Sequence, residues 1–260
     1  MHEFASRVEK RFRFSSKEIG RILIAVLAAA FVISFNKWGG ETFNFGAGLG
    51  NFILSFILVL ISFFLHFSAQ KLMALKLGYK SEYKLWVNGI IISVFLCFLA
   101  YLFYLGPLHE IIPIFFTGVL MYDIVPKLRA GVFRGGVKHS DLGMIAVAGP
   151  LINILLIAVL APFFIATKSP FLLFFIKINL WVAIFSMLPI PTFEKLRKFQ
   201  GGTTGLYLFI ASRWVYILFF ASLVVFAILI LLFNIFSYII ALLLGIAITL
   251  IYYNRFEGEK

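Results

Sequence analysis

The sequence predicts an all-α polytopic membrane protein: one helical bundle of about eight transmembrane segments (six to eight), with short strands in its cytoplasmic loops. Three observations predict it. Hydrophobic residues make up 62% of the chain and aromatics 18%, with a mean hydropathy of +1.04. Charged residues make up only 13%, where a soluble domain carries about a quarter. Apolar runs of near-spanning length alternate with short polar stretches, and 20 of the 23 lysines and arginines fall in stretches that alternate counting assigns to one side. The 260 residues suit one bundle and leave no room for a second globular domain.

The elements follow in order. Residues 1–21 form a polar arm carrying Arg7, Lys10, Arg11, Arg13, Lys17 and Arg21, read as cytoplasmic, with an amphipathic surface helix as an option. The arm is too long and too acidic for the n-region of a secretory signal, so the next run reads as a retained anchor. The transmembrane domain covers 22–253. Its spans are expected at about 22–36, 51–77, 86–105, 110–125, 143–167, 171–190, 214–233 and 235–252. The fourth is short and loosened by Pro113 and Gly118, so it spans or re-enters. Residues 38–50 read as an outer interfacial loop or a re-entrant piece, and the basic loop 126–141 has room for short strands. Residues 254–260 are a polar tail. An even number of crossings with a cytoplasmic arm puts both termini in the cytoplasm.

The net charge of +12 does not indicate nucleic acid, because no basic strip interleaved with stacking aromatics is visible. It is a topology signal, and it attracts anionic lipid head groups. Cys97 is the single cysteine, which excludes an internal disulfide and a cysteine-based zinc site. The four histidines, His2, His66, His109 and His139, lie far apart in sequence.

Two motifs stand in these apolar surroundings. His66 and Gln70 are four residues apart on the second long run, so a helix places them on one face with Phe67 beside them. Two histidines at that spacing bind zinc in a metalloprotease, and a Glu after the first deprotonates water. Here Phe67 stands where that Glu would be and Gln70 where the second His would be. The other motif is Leu188-Pro189-Ile190-Pro191-Thr192-Phe193-Glu194-Lys195, in which two prolines end a helix and hold the next residues extended.

At these residues the chain resembles the site-2 protease family of intramembrane zinc metalloproteases. Five blocks over about 60–200 carry the likeness: His66 to Gln70 running into Leu77-Gly78; Glu82 to Trp86; Arg129 to Phe133; Ala148-Gly149-Pro150-Leu151-Ile152-Asn153; and Asn179 to Lys195. The resemblance implies a site-2-protease-like bundle with a core at about 60–200. It also implies vestigial metal-ligand positions at His66, Gln70 and Glu194, and a degenerate general-base position at Phe67. Gly149, Pro150, Asn153, Pro189 and Pro191 would border the path of a substrate helix. The helix with His66, the helix near Gly149 and the segment ending at Pro191 would pack together, bringing His66, Gln70 and Glu194 close on the cytoplasmic side.

One imidazole, one amide and one carboxylate make a poor zinc site, and no base replaces the Glu. The expectation is a catalytically inactive pseudoprotease without a cofactor that binds or regulates membrane-protein client helices within the lipid bilayer. Two alternatives stand: an active intramembrane metalloendopeptidase with an altered zinc site, and a transporter or channel. A transporter usually shows internal repeats, and none is evident.

Overall fold

The computed structural model describes residues 2–39, 42–103, 113–124, 138–191, 202–232 and 237–256, which fall into two compact units, one ending at Ile124 and one starting at Lys138. Described in order, the first unit contains α1 (His2–Arg11), α2 (Ser16–Ser34), α3 (Phe45–Lys76), β1 (Tyr79–Leu85), α4 (Val87–Leu102) and β2 (Gly118–Ile124). The second contains α5 (His139–Thr167), α6 (Pro170–Met187), α7 (Thr204–Ala211), α8 (Arg213–Leu232) and α9 (Ser237–Phe256).

The polar arm is largely helical. Its first ten described residues form α1, which packs on α3 and sends Arg7 Nη1 to the Lys76 carbonyl at 3.3 Å. The next helix starts at Ser16, ahead of the apolar run, because Ser15 caps it: the Glu18 amide donates to Ser15 Oγ at 3.2 Å. The boundary expected at residue 21 therefore falls inside α2.

The longest helix, α3, shows why this is a membrane fold. Its buried stripe runs Ser55, Leu58, Val59, Ser62, Phe63, His66, Phe67, Gln70 and Lys71, the three-and-four spacing of one helical face. Its outer face shows Ile53, Ile57, Ile61 and Phe64. Polar groups inside and apolar groups outside reverse the pattern of a soluble helix and match a lipid-facing one. Its partner α2 buries Ala25, Ala29 and Ala30, and small residues let two helices approach closely without a water-driven hydrophobic force. At 1.5 Å per residue, 32 residues reach about 48 Å, well beyond a hydrocarbon core of about 30 Å.

Among the described residues three helices are long and apolar enough to cross a membrane: Phe45–Lys76, His139–Thr167 and Pro170–Met187. Shorter apolar helices cover Val87–Leu102, Arg213–Leu229 and Leu242–Phe256.

The span expected at 110–125 is not a helix in its described part. Residues 118–124 form β2, antiparallel to β1, in a register running from Tyr79 opposite Ile124 to Leu85 opposite Gly118. The Trp86 amide extends the ladder by donating to the Thr117 carbonyl at 3.0 Å. A seven-residue apolar run suits either a strand or a short helix, and the partner strand decides between them. Only glycine fits at the first position of β2, where a Cβ would lie 2.3 Å from the Tyr83 hydroxyl oxygen and 2.5 Å from the Lys84 carbonyl oxygen. The strands thus fall at 79–85 and 118–124. Of the loop 126–141 that had room for them, residues 126–137 lie outside the described residues and His139–Asp141 open α5.

In the second unit, Lys168 in the left-handed conformation (φ 52°) closes α5, and Pro170 opens α6 where its missing N–H costs nothing. Helix α5 packs on α6 and α7, and α8 packs on α9. Helix α7 meets the end of α6 so closely that a Cβ on Gly205 would lie 1.9 Å from the Met187 carbonyl oxygen.

Candidate functional site

In the first unit the metalloprotease-like positions lie on the inner face of α3. His66 is 2% exposed, Phe67 9% and Gln70 0%. Phe67 packs in an aromatic cluster, with ring centroids 4.6 Å from Tyr83 on β1 and 5.5 Å from Phe63 on α3. The position that would hold a general base thus joins helix to strand by packing. Burial pushes the Tyr83 phenol well above its ordinary value, so it stays protonated and supplies no base beside Phe67.

Gln70 is a buried amide whose Nε2 and Oε1 both lack a hydrogen-bond partner among the described residues. One imidazole and one amide do not fit a catalytic zinc, which takes three protein ligands and an open position. Among the described residues no group of three His, Cys, Asp or Glu side chains gathers to hold a metal. Glu194, the third vestigial ligand position, lies outside the described residues, as do Lys195 and the block Arg129 to Phe133.

The residue after Gln70 carries the strongest polar interaction of this unit. Lys71 Nζ lies 2.6 Å from Glu18 Oε2, both side chains are almost fully buried, and Nζ also donates to the Arg13 carbonyl at 2.9 Å. The ammonium stacks 4.0 Å from the centroid of the Phe14 ring. The other carboxylate oxygen of Glu18 accepts from the Tyr83 amide at 3.0 Å. Lys71, counted from sequence among the loop cations that set topology, is therefore an interior residue that locks α2, α3 and β1 together. Sequence spacing gave no sign of the pair, because Glu18 lies 53 residues away. The only signal was a lysine on the face of an otherwise apolar helix.

In the second unit Asn153 on α5 is 1% exposed and Asn179 on α6 is 0% exposed. Asn153 Nδ2 donates to Asn179 Oδ1 at 2.9 Å, and Asn179 Nδ2 donates to the Phe175 carbonyl at 2.9 Å. Gly149 and Pro150 are buried one turn earlier on the same helix. Helix α5 begins at His139, so Pro150 sits in its interior, where it cannot donate to the carbonyl four residues back.

The prolines at 189 and 191 do what their chemistry dictates. Helix α6 ends at Met187 and Leu188 turns extended. Pro191 bridges Gly202, the Thr203 amide donates to the Ile190 carbonyl at 2.9 Å, and the Ile190 amide donates to Thr203 Oγ1 at 3.0 Å. The Thr203 hydroxyl in turn donates to the Leu188 carbonyl. His66, Phe67 and Gln70 thus lie in the first unit, and Asn153 and the Pro189–Pro191 segment lie in the second, each with its own partners.

No family model and no solved structure matches the chain. A protein of Methanocaldococcus jannaschii named "Putative zinc metalloprotease" is 31% identical over 196 residues, covering 73% of this chain and 87% of that protein.

Proposed function

This chain belongs to the metalloprotease-like family of that archaeal relative, and from this premise we propose that it is a site-2-protease-like membrane protein that no longer cleaves peptide bonds. The observation that carries the reading is Phe67, buried against Tyr83 and Phe63 at the position where a general base would have to reach water. Gln70, an amide at the second ligand position, supports it further.

In this reading the scaffold holds membrane-protein helices instead of hydrolysing them, in a bundle of six to eight spans. Asn153, Gly149, Pro150, Pro189 and Pro191 would border the groove. A partly unwound client helix has backbone groups that lipid cannot satisfy, and these would need polar partners in such a groove. Both termini would face the cytoplasm, which reporter fusions at the two ends would test. A client would be sought by cross-linking from positions beside Asn153 in native membranes; capture that survives Pro189→Ala unchanged, with the fold intact, removes the groove.

The relative's name keeps one competitor in view, a metalloprotease with an altered site. Elemental analysis of protein purified in mild detergent separates the two. The expected result is less than stoichiometric zinc and no cleavage of membrane-helix substrates. One zinc per chain, lost on His66→Ala, would make this an enzyme.

A further inference from the structure

A cavity of about 250 Å³ opens at the polar end of the first unit, between the α1–α2 connection, the last turns of α3 and β1. Six charged side chains line it, and their pairing decides its character. Its two carboxylates are already engaged: Glu18 with Lys71 at 2.6 Å, and Glu82 with Arg21 at 2.7 Å. Of the three remaining cations, all exposed at the cavity's rim, Arg11 and Arg13 have no acidic partner among the described residues, and Lys80 lies opposite Asp123 in the register of the two strands. The cavity therefore presents a net positive field, led by the two guanidinium groups.

Its wall holds a second, independent sign of a ligand. Ser81 is 4% exposed, lines the cavity, and its Oγ has no hydrogen-bond partner among the described residues. A buried hydroxyl is normally paired, because leaving it unpaired forfeits its hydration. An acceptor atom in the cavity would satisfy it. The N-terminus of α2, capped at Ser15 on the same wall, adds the positive end of a helix dipole.

We propose that this cavity binds a phosphate group, with Arg11, Arg13 and Lys80 meeting its charge and the Ser81 hydroxyl donating to one of its oxygens. Guanidinium forks match phosphate oxygens in geometry, and a tetrahedral oxyanion accepts from several directions at once. The group can arrive on an anionic phospholipid or as free phosphate, since the cavity lies at the lysine-bearing C-terminal end of a helix of membrane-spanning length. The chemistry is shared, and the experiment tells the sources apart.

Full-length protein in phosphatidylcholine nanodiscs would be titrated with inorganic phosphate by calorimetry. In parallel, nanodiscs containing a few per cent phosphatidic acid would be opened in the mass spectrometer and retained lipids counted. The expected result is one saturable site per chain in at least one arm. Arg13→Gln with Lys80→Gln should weaken it at least about tenfold, and Ser81→Ala severalfold. Lys10→Gln with Lys17→Gln removes the same charge from neighbouring residues outside the cavity and should leave binding nearly unchanged. Saturation in the phosphate arm assigns a soluble ligand, and saturation in the lipid arm alone assigns a head group. Unfolding temperatures without ligand confirm that each variant is folded. No saturable binding in either arm overturns the proposal. So does equal weakening by the control pair, which is general attraction to a basic surface, or a Ser81→Ala protein that binds as well as the parent.

Discussion

The two units bury polar groups in different ways. In the first, an ion pair between Glu18 and Lys71 ties α2 to α3 and is surrounded by further bonds to the Arg13 carbonyl and the Tyr83 amide. In the second, two neutral amides, Asn153 and Asn179, tie α5 to α6 and end on one backbone carbonyl. A buried charge is tolerable only when nearly all its hydrogen-bonding capacity is used, whereas an amide chain survives partial loss. The first unit should therefore be brittle to substitution at its polar positions and the second forgiving.

The sharpest way to break this contrast is to add a charge where the first unit has no partner for it. Phe67→Glu removes an aromatic packed on Tyr83 and Phe63 and places a carboxylate there. Loss of a buried Phe alone costs about 3–5 kcal/mol, and the charge adds to it. The variant should unfold at a much lower temperature in mild detergent. A stable Phe67→Glu protein would mean that the position is hydrated, and would reopen the catalytic reading.

Removing half of the ion pair comes next. Glu18→Ala should cost about 3–5 kcal/mol, because it leaves the Lys71 ammonium buried without its counter-ion. Combining it with Lys71→Met should recover most of that loss in a double-mutant cycle. A single variant as stable as the parent would put water at the pair and dissolve the contrast.

Gln70 tests the rule with the opposite sign. Its amide is fully buried and unpaired among the described residues, so Gln70→Met should stabilise the protein by about 1–2 kcal/mol, seen as a raised unfolding temperature. A destabilised variant would show that the amide has a partner. The smallest effect belongs to the second unit: Asn153→Leu should cost about 0.6–1.7 kcal/mol, the range for interhelical hydrogen bonds in membranes. A loss as large as that of Glu18→Ala would make both clusters alike.

Much of this was readable in the sequence and some was not, for physical reasons. The apolar runs located α3, α5 and α6 because length and composition suffice for a membrane helix. The block Glu82 to Trp86, one of those that carry the family resemblance, lies at the end of β1. The helix stop at Pro189 follows from proline's effect on the preceding residue. The strand Gly118–Ile124 was missed because its apolar run fits two periods, and only a partner more than 30 residues away selects one. The Glu18–Lys71 pair and the unpaired Ser81 are products of tertiary assembly, which local spacing does not encode. The helical spacing of His66, Phe67 and Gln70 put them on one face, and α3 buries that face, but spacing did not show that Phe67 would be the packing link between α3 and β1.

The small sheet also constrains how the chain is threaded through the bilayer. Because Leu85 lies opposite Gly118, and the Trp86 amide reaches the Thr117 carbonyl, the stretch between them begins and ends at one place. Whatever α4 does, the chain must come back. The excursion therefore crosses the membrane an even number of times, and residues 85 and 118 face the same compartment. Loss of a helix at 118–124 thus leaves the parity of the remaining chain untouched. The two strands act as a clasp that brings both ends of this excursion back to one side.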